Sequence, residues 1–171
     1  MVVMGIDAST TSTGVAIFIE KELKFHTTLR PKGADWRDRL FLQGKDLVKI
    51  IEKYKPDIIY MEDVPLKSNG GLKTLVILGG VQGFVYGIAA SYGIPINFIL
   101  PTQWRSKLNM FDGTEKGKKR DILKEKAVIK ANELFNLNLI WCGASSKKSQ
   151  DDEAESILIA YSQIKPRKFG K

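Results

Sequence analysis

A single mixed α/β sheet with helices on its faces is the fold class this chain predicts, and three observations predict it. Three apolar runs near the start are joined by links too short for a crossover, so they must be antiparallel neighbours. A long amphipathic stretch then precedes a fourth apolar run, as a crossover helix precedes a parallel strand. Beyond it, helical and extended patterns continue to alternate, with no internal repeat and no linker that marks a second domain.

The elements follow in order. Val2 to Asp7 reads as a short buried strand, and Gly14 to Glu20 and Leu23 to Leu29 as two more, the latter pair joined by a tight Glu20-Lys21-Glu22 turn. Trp36 to Tyr54 has helical spacing at Trp36, Leu40, Leu47, Ile50 and Ile51, with Ala34-Asp35 as its start. Pro56-Asp57 ends that helix and opens the fourth strand, Ile58 to Glu62. Leu72 to Tyr92 is a glycine-rich helix about as long as a bilayer span; Lys73, Gln82 and the closely spaced small residues favour a buried helix of a soluble protein. A fifth strand covers Ile94 to Leu100, and a short helix starts at Pro101. A basic amphipathic helix runs from about Gly117 to Leu134, and a last helix from Ser149 or Gln150 to Gln163. One domain, residues 1–164, precedes a basic tail, 165–171.

Composition excludes several function classes. At 171 residues, 43% hydrophobic and 27% charged, the chain can bury one core. Cys142 and His26 are the only residues of their kinds, which excludes an intramolecular disulfide and a His/Cys zinc site within one chain. With no signal-peptide pattern at the N-terminus, a reducing cytoplasmic setting and no membrane association are expected. A net charge of +8 suggests a polyanionic partner.

Acidic residues gain meaning from placement. Asp7 and Glu62 end strands one and four, and ligand sites of open α/β sheets gather at the carboxyl ends of strands. The last helix opens with Asp151-Asp152-Glu153-Ala154-Glu155, where Asp152 and Glu155 are three apart on one face; Asp151 and Glu155, four apart, can serve instead. Ser149 and Asp152 also have the spacing of a helix cap. Carboxylates brought together repel unless a cation joins them, and oxygen-only donors favour Mg²⁺ or Mn²⁺ over zinc. Four such groups can hold two ions about 3.5–4 Å apart, the arrangement used in phosphodiester cleavage.

These residues, with MGIDASTTSTGVAIF, PDIIYMEDVP, GGVQGFVYGIAASYGIPINFILPTQWR and DDEAESILIAYS, resemble the RuvC-type Holliday-junction resolvases of the RNase H/retroviral-integrase superfamily, most closely the bacteriophage-encoded branch. The resemblance implies an RNase H-like fold and a catalytic, metal-binding set of Asp7, Glu62, Asp152 and Glu155, with Asp151 as a competing ligand. It further implies Mg²⁺-dependent paired nicking of four-way and other branched DNA by a homodimer, two ions per active site, Mn²⁺ able to substitute, and no nucleotide cofactor. The setting it implies is a bacterial cytoplasm, that of the host if the chain is phage-encoded. Two departures stand out. Glu155 occupies a position usually held by Asp, and the loop Asp63-Val64-Pro65-Leu66 lacks the aromatic wedge of the bacterial enzymes.

Basic residues crowd the region from Arg105 to Lys130, and Arg105, Lys107, Lys118, Lys119, Arg120 and Lys124 are read as phosphate contacts, against the alternative of a solvated helix face. Gly79, Gly83 and Gly87 form a ridge that is either a close contact with the chain's own sheet or, as the resemblance implies, a dimer interface. Trp36, Trp104 and Trp141 are read as core or rim aromatics. The Ser/Thr-rich turn after Asp7 reads as a hairpin, with Ser9 and its neighbours near enough to touch a DNA phosphate. Two other functions fit parts of the pattern. An actin-like or sugar-kinase ATPase shares the Ile-Asp-x-x-Thr-Thr-like loop but needs a second such domain, and a non-catalytic junction-binding protein would not need four carboxylates.

Overall fold

The computed structural model describes residues 1–64, 71–143 and 146–164. Five strands, β1 (Val2–Ala8), β2 (Thr13–Ile19), β3 (Glu22–Leu29), β4 (Ile58–Glu62) and β5 (Ile96–Ile99), form one sheet in the order β3-β2-β1-β4-β5. The first three are antiparallel, and β4 and β5 run parallel to β1. The α1 helix (Trp36–Tyr54) makes the crossover from edge strand β3 to β4 and has the predicted bounds. Asp35 caps it by accepting from Arg37 N at 2.7 Å, and Lys55 ends it in the left-handed conformation, φ 49°. The β2–β3 turn carries positive φ at both Glu20 and Lys21, as a two-residue hairpin of matching twist requires.

Alternation along the strands divides the core in two. Met4, Ile6, Val15, Ile17, Ile59 and Met61 face α1 and α2 (Gly71–Ser91), meeting Leu47, Ile51, Val85 and Ala89. Val3, Ala16 and Phe18 face the other way, into α3 (Pro101–Lys107), α4 (Arg120–Phe135) and α5 (Asp151–Ile164). Phe18 meets Phe135 edge-on and stacks on Tyr161, closing that half-core at its outer end.

Glycines set how closely α5 lies on the sheet. A Cβ at Gly5 would stand 2.1 Å from Ser156 O, and one at Gly14 only 1.8 Å from Asp152 O. The helix backbone therefore rests directly on β1 and β2, a separation no other residue permits.

Four expectations need correction. The α4 helix starts at Arg120 and not at Gly117, because Lys116–Lys118 form a short 3-10 turn and Gly117 is packed against the Asp112 carboxylate. The glycine-rich α2 is not buried. It meets the length and hydropathy of a membrane span, but only Val81, Val85 and Ala89 are buried, and Leu72 and Val76 are 78% and 66% exposed. Gly79, Gly83 and Gly87 are exposed too, with open space where a Cβ would lie, so the ridge is not a contact with the chain's own sheet. Ser149 does not cap Asp152: its hydroxyl accepts from Cys142 N and donates to Gly143 O. The tail 165–171 and Pro65-Leu66 lie outside the described residues.

Candidate active site

Strand parity aims the two strand-end carboxylates at the same helix. Asp7 shares the α5 side of β1 with Val3 and Gly5, and Glu62 shares that side of β4 with Ile58 and Tyr60. The parallel ladder ends at Ile6↔Met61, so Asp7 and Glu62 emerge side by side one step beyond it. From above, the first turns of α5 deliver Asp152 and Glu155. Carboxylate oxygens of Asp7, Asp152 and Glu155 all lie within 4.8 Å of one another. Such an oxygen-only donor set fits a hard divalent cation.

Glu62 joins this group through neighbours that fix it. The fully buried Trp104 donates its indole Nε1–H to Glu62 Oε2 at 2.7 Å. Arg105, the next residue of α3, places a guanidinium nitrogen 2.5 Å from Glu155 Oε1 and 3.8 Å from Glu62 Oε2, stacked over the Trp104 ring at 4.6 Å. Arg105 Nε is buried with no hydrogen-bond partner among the described residues. On the α4 side, Lys124 pairs with Asp151, reaches Asp152 Oδ1 at 3.4 Å, and stands 4.0 Å from Glu155 Oε2. Ser12, in the β1–β2 turn, donates its hydroxyl to Asp152 Oδ2. That turn is a hairpin, closed by Ser9 N donating to Ser12 O at 3.0 Å, and Arg39 of α1 braces it by donating to Thr10 O at 2.8 Å.

The electrostatics follow from this crowding. Burial, then the neighbouring Glu155, Glu62 and Asp152, hold the Asp7 carboxyl well above the usual range. Burial and then Glu155 push Glu62 up to about 7, against the pull of Arg105 and the Trp104 hydrogen bond. Lys124 and Arg105 are both raised: the carboxylates outweigh the burial that would lower them. A set of carboxylates that resists full ionisation attracts further positive charge.

The predicted phosphate contacts divide. Arg105 and Lys124 belong to the carboxylate group, not to an exposed basic face. Arg120 lines the cleft over it, of about 1040 Å³. Lys118 and Lys119 are exposed on the turn before α4, with Lys118 paired to Glu115, and Lys107 donates to Gln163 at 2.7 Å away from the cleft. Sequence reasoning missed Lys32 and Lys147, exposed at the same cleft, and Arg30, whose guanidinium donates to Lys147 O at 2.7 Å. They come from loops with no periodic pattern. Trp104 as the holder of Glu62 was also missed; its only signal was its place in PTQWR, next to Arg105.

No family model matches the chain. Among curated proteins it is 27% identical over 165 residues to the crossover junction endodeoxyribonuclease RuvC of Ruminiclostridium cellulolyticum, covering 94% of this chain and 89% of that one. It is 33% identical over 98 residues to the RuvC of Nitratidesulfovibrio vulgaris, covering 55% and 58%. Thermus thermophilus RuvC, solved in complex with a Holliday-junction substrate, superimposes with a TM-score of 0.70 at 16% identity over 95% of this chain and 92% of that one. The chain thus resembles RuvC over nearly its whole length. Its RuvC-type sheet is an RNase H-like fold. The Fowlpox virus resolvase, solved with Holliday-junction DNA, shares that fold at a TM-score of 0.55 and 15% identity, covering 95% of this chain and 96% of that one.

Proposed function

We propose that this chain is a structure-selective endonuclease that resolves four-way DNA junctions, and other branched DNA, by divalent-metal-dependent phosphodiester hydrolysis. The observation that carries the reading is the meeting of Asp7, Asp152 and Glu155 within 4.8 Å, beside Glu62, under a cleft edged with Arg120, Lys32 and Lys147. The RuvC relatives support it.

Asp7, Asp152 and Glu155 would hold the metal, with Glu62 completing the set; we assign Mg²⁺, replaceable by Mn²⁺, and two ions per site. Bound there, such ions supply a nucleophilic water and offset charge on the scissile phosphate. The protein's share is placement. Ser12 fixes Asp152, Arg105 fixes Glu155, and Trp104 fixes Glu62, so the oxygens need little reorganisation. Arg120, Lys32 and Lys147 would take backbone phosphates on either side. The exposed apolar face of α2 would pair two copies, giving two sites related by a two-fold axis for a two-fold substrate. A bacterial cytoplasm, that of the host for a phage-encoded chain, is the setting we assign.

The test compares wild type with Asp7→Asn on a labelled four-way junction, with Mg²⁺ and with EDTA. Paired nicks should need the metal and disappear in the variant, with junction binding retained. Equal cutting by both proteins would refute the assignment.

A further inference from the structure

The acidic pocket carries a cation of its own. Lys124 is 8% exposed and Asp151 6%, and their ammonium and carboxylate are in direct contact. Asp151 is not among the carboxylates that converge within 4.8 Å; it adjoins them along α5 and faces α4. Lys124 is thus held to one side of the Asp7–Asp152–Glu155 group, within 3.4 and 4.0 Å of two of its oxygens. Without Asp151, the same ammonium would be drawn onto those two carboxylates, the densest negative charge within its reach.

We propose that Asp151 is the holding point of Lys124 and not a metal ligand, and that this buried pair sets how tightly the Asp7–Asp152–Glu155 group takes a divalent cation. With Lys124 on Asp151, the oxygens of Asp152 and Glu155 stay available. An ammonium released from Asp151 competes for them and repels an incoming dication. The proposal rests on the metal-site reading of the carboxylates given above, and it separates the two roles that adjacent Asp151 and Asp152 leave open in the sequence.

Mn²⁺ titrated into the full chain without DNA, followed by calorimetry at pH 8, gives a readout independent of cleavage. Asp151→Asn should bind Mn²⁺ about tenfold more weakly and Lys124→Gln about tenfold more tightly, as expected for directly coupled charges. The double variant Asp151→Asn/Lys124→Gln has the wild-type net charge and should bind at least as tightly as wild type. A double variant as weak as Asp151→Asn alone would make Asp151 a ligand and overturn the proposal, as would single variants that bind like wild type. Should Lys124→Gln fail to fold, with Asp151 buried and unpaired, the neutral double variant still decides. A wild type that binds no Mn²⁺ would remove the metal centre itself, and this proposal with it; normal wild-type binding with the wrong variant order would remove only the proposal.

Discussion

Glu62 shows how one buried side chain carries a pH dependence. Its carboxyl holds a proton up to about 7 in the fold, against an ordinary value of 4.5, and Asp7 is raised in the same sense. Between those values the folded chain binds more protons than the unfolded one, so metal-free stability falls as pH rises from 5 to 8. Below 4.5 the sign reverses: against the burial that would raise it, His26, Gln150 and Thr28 hold Glu153 low, and Lys126 and Thr114 hold Asp112 low, and this stability is lost on acidification. Melting of the metal-free chain should therefore peak near pH 5. Mn²⁺ affinity should drop by about tenfold per pH unit below 7 for each proton the metal displaces. A melting temperature that climbs steadily from pH 5 to 8 would contradict this. Asp7 and Glu62 could be found in the sequence because each ends an apolar strand, which fixes its place in space. The burial of Lys124 could not, since α4 interleaves lysines with Asp121 and Glu125, and only the packing of α5 selects one of them.

At the scale of elements, α5 lying directly on β1 and β2 is the feature on which the site depends. Gly14→Ala would press a methyl group into the Asp152 carbonyl, and neither backbone has a rotamer with which to yield. The expected cost is about 3 kcal/mol or more, the upper range for overpacking, with Mn²⁺ binding lost because Asp152 and Glu155 move off Asp7. Denaturant unfolding together with calorimetry checks both parts; a folded Gly14→Ala chain that still binds Mn²⁺ would show that the close approach is dispensable. The bounds of α1 and β4 were legible because Asp35, Pro56 and the apolar periodicity mark them locally. The exposure of α2 was not, since an apolar helix reads alike whether its own sheet or another molecule covers it.

For the molecule as a whole, charge and exposed surface lead to two expectations. A net charge of +8 with Arg120, Lys32 and Lys147 edging the cleft predicts junction binding that weakens steeply between 50 and 200 mM salt. Lys32→Ala and Lys147→Ala should each lower the slope of log affinity against log salt by about 1; an unchanged slope would remove them from the interface. The uncovered face of α2, with Leu72, Val76 and the glycine ridge, predicts a dimer at micromolar concentration in sedimentation, and Val76→Asp should return it to monomer. A wild type that sediments as monomer, alone and on junction DNA, would count against pairing through this face. The antiparallel pairing of the first three strands and the parallel fourth were legible from chain connectivity, because short links and a helical crossover leave few arrangements; the place of β5 beside β4 was not.

The positions of these carboxylates along the chain also set an order in time. Asp7 and Glu62 are made before Asp152 and Glu155, which arrive on α5, and α5 must settle across β1 and β2 before the oxygens converge. A ribosome-bound or prematurely stopped chain lacking α5 has two strand-end carboxylates and no cluster. The proposed power to cut DNA is thus withheld until synthesis has passed residue 155 and β1 and β2 have received α5.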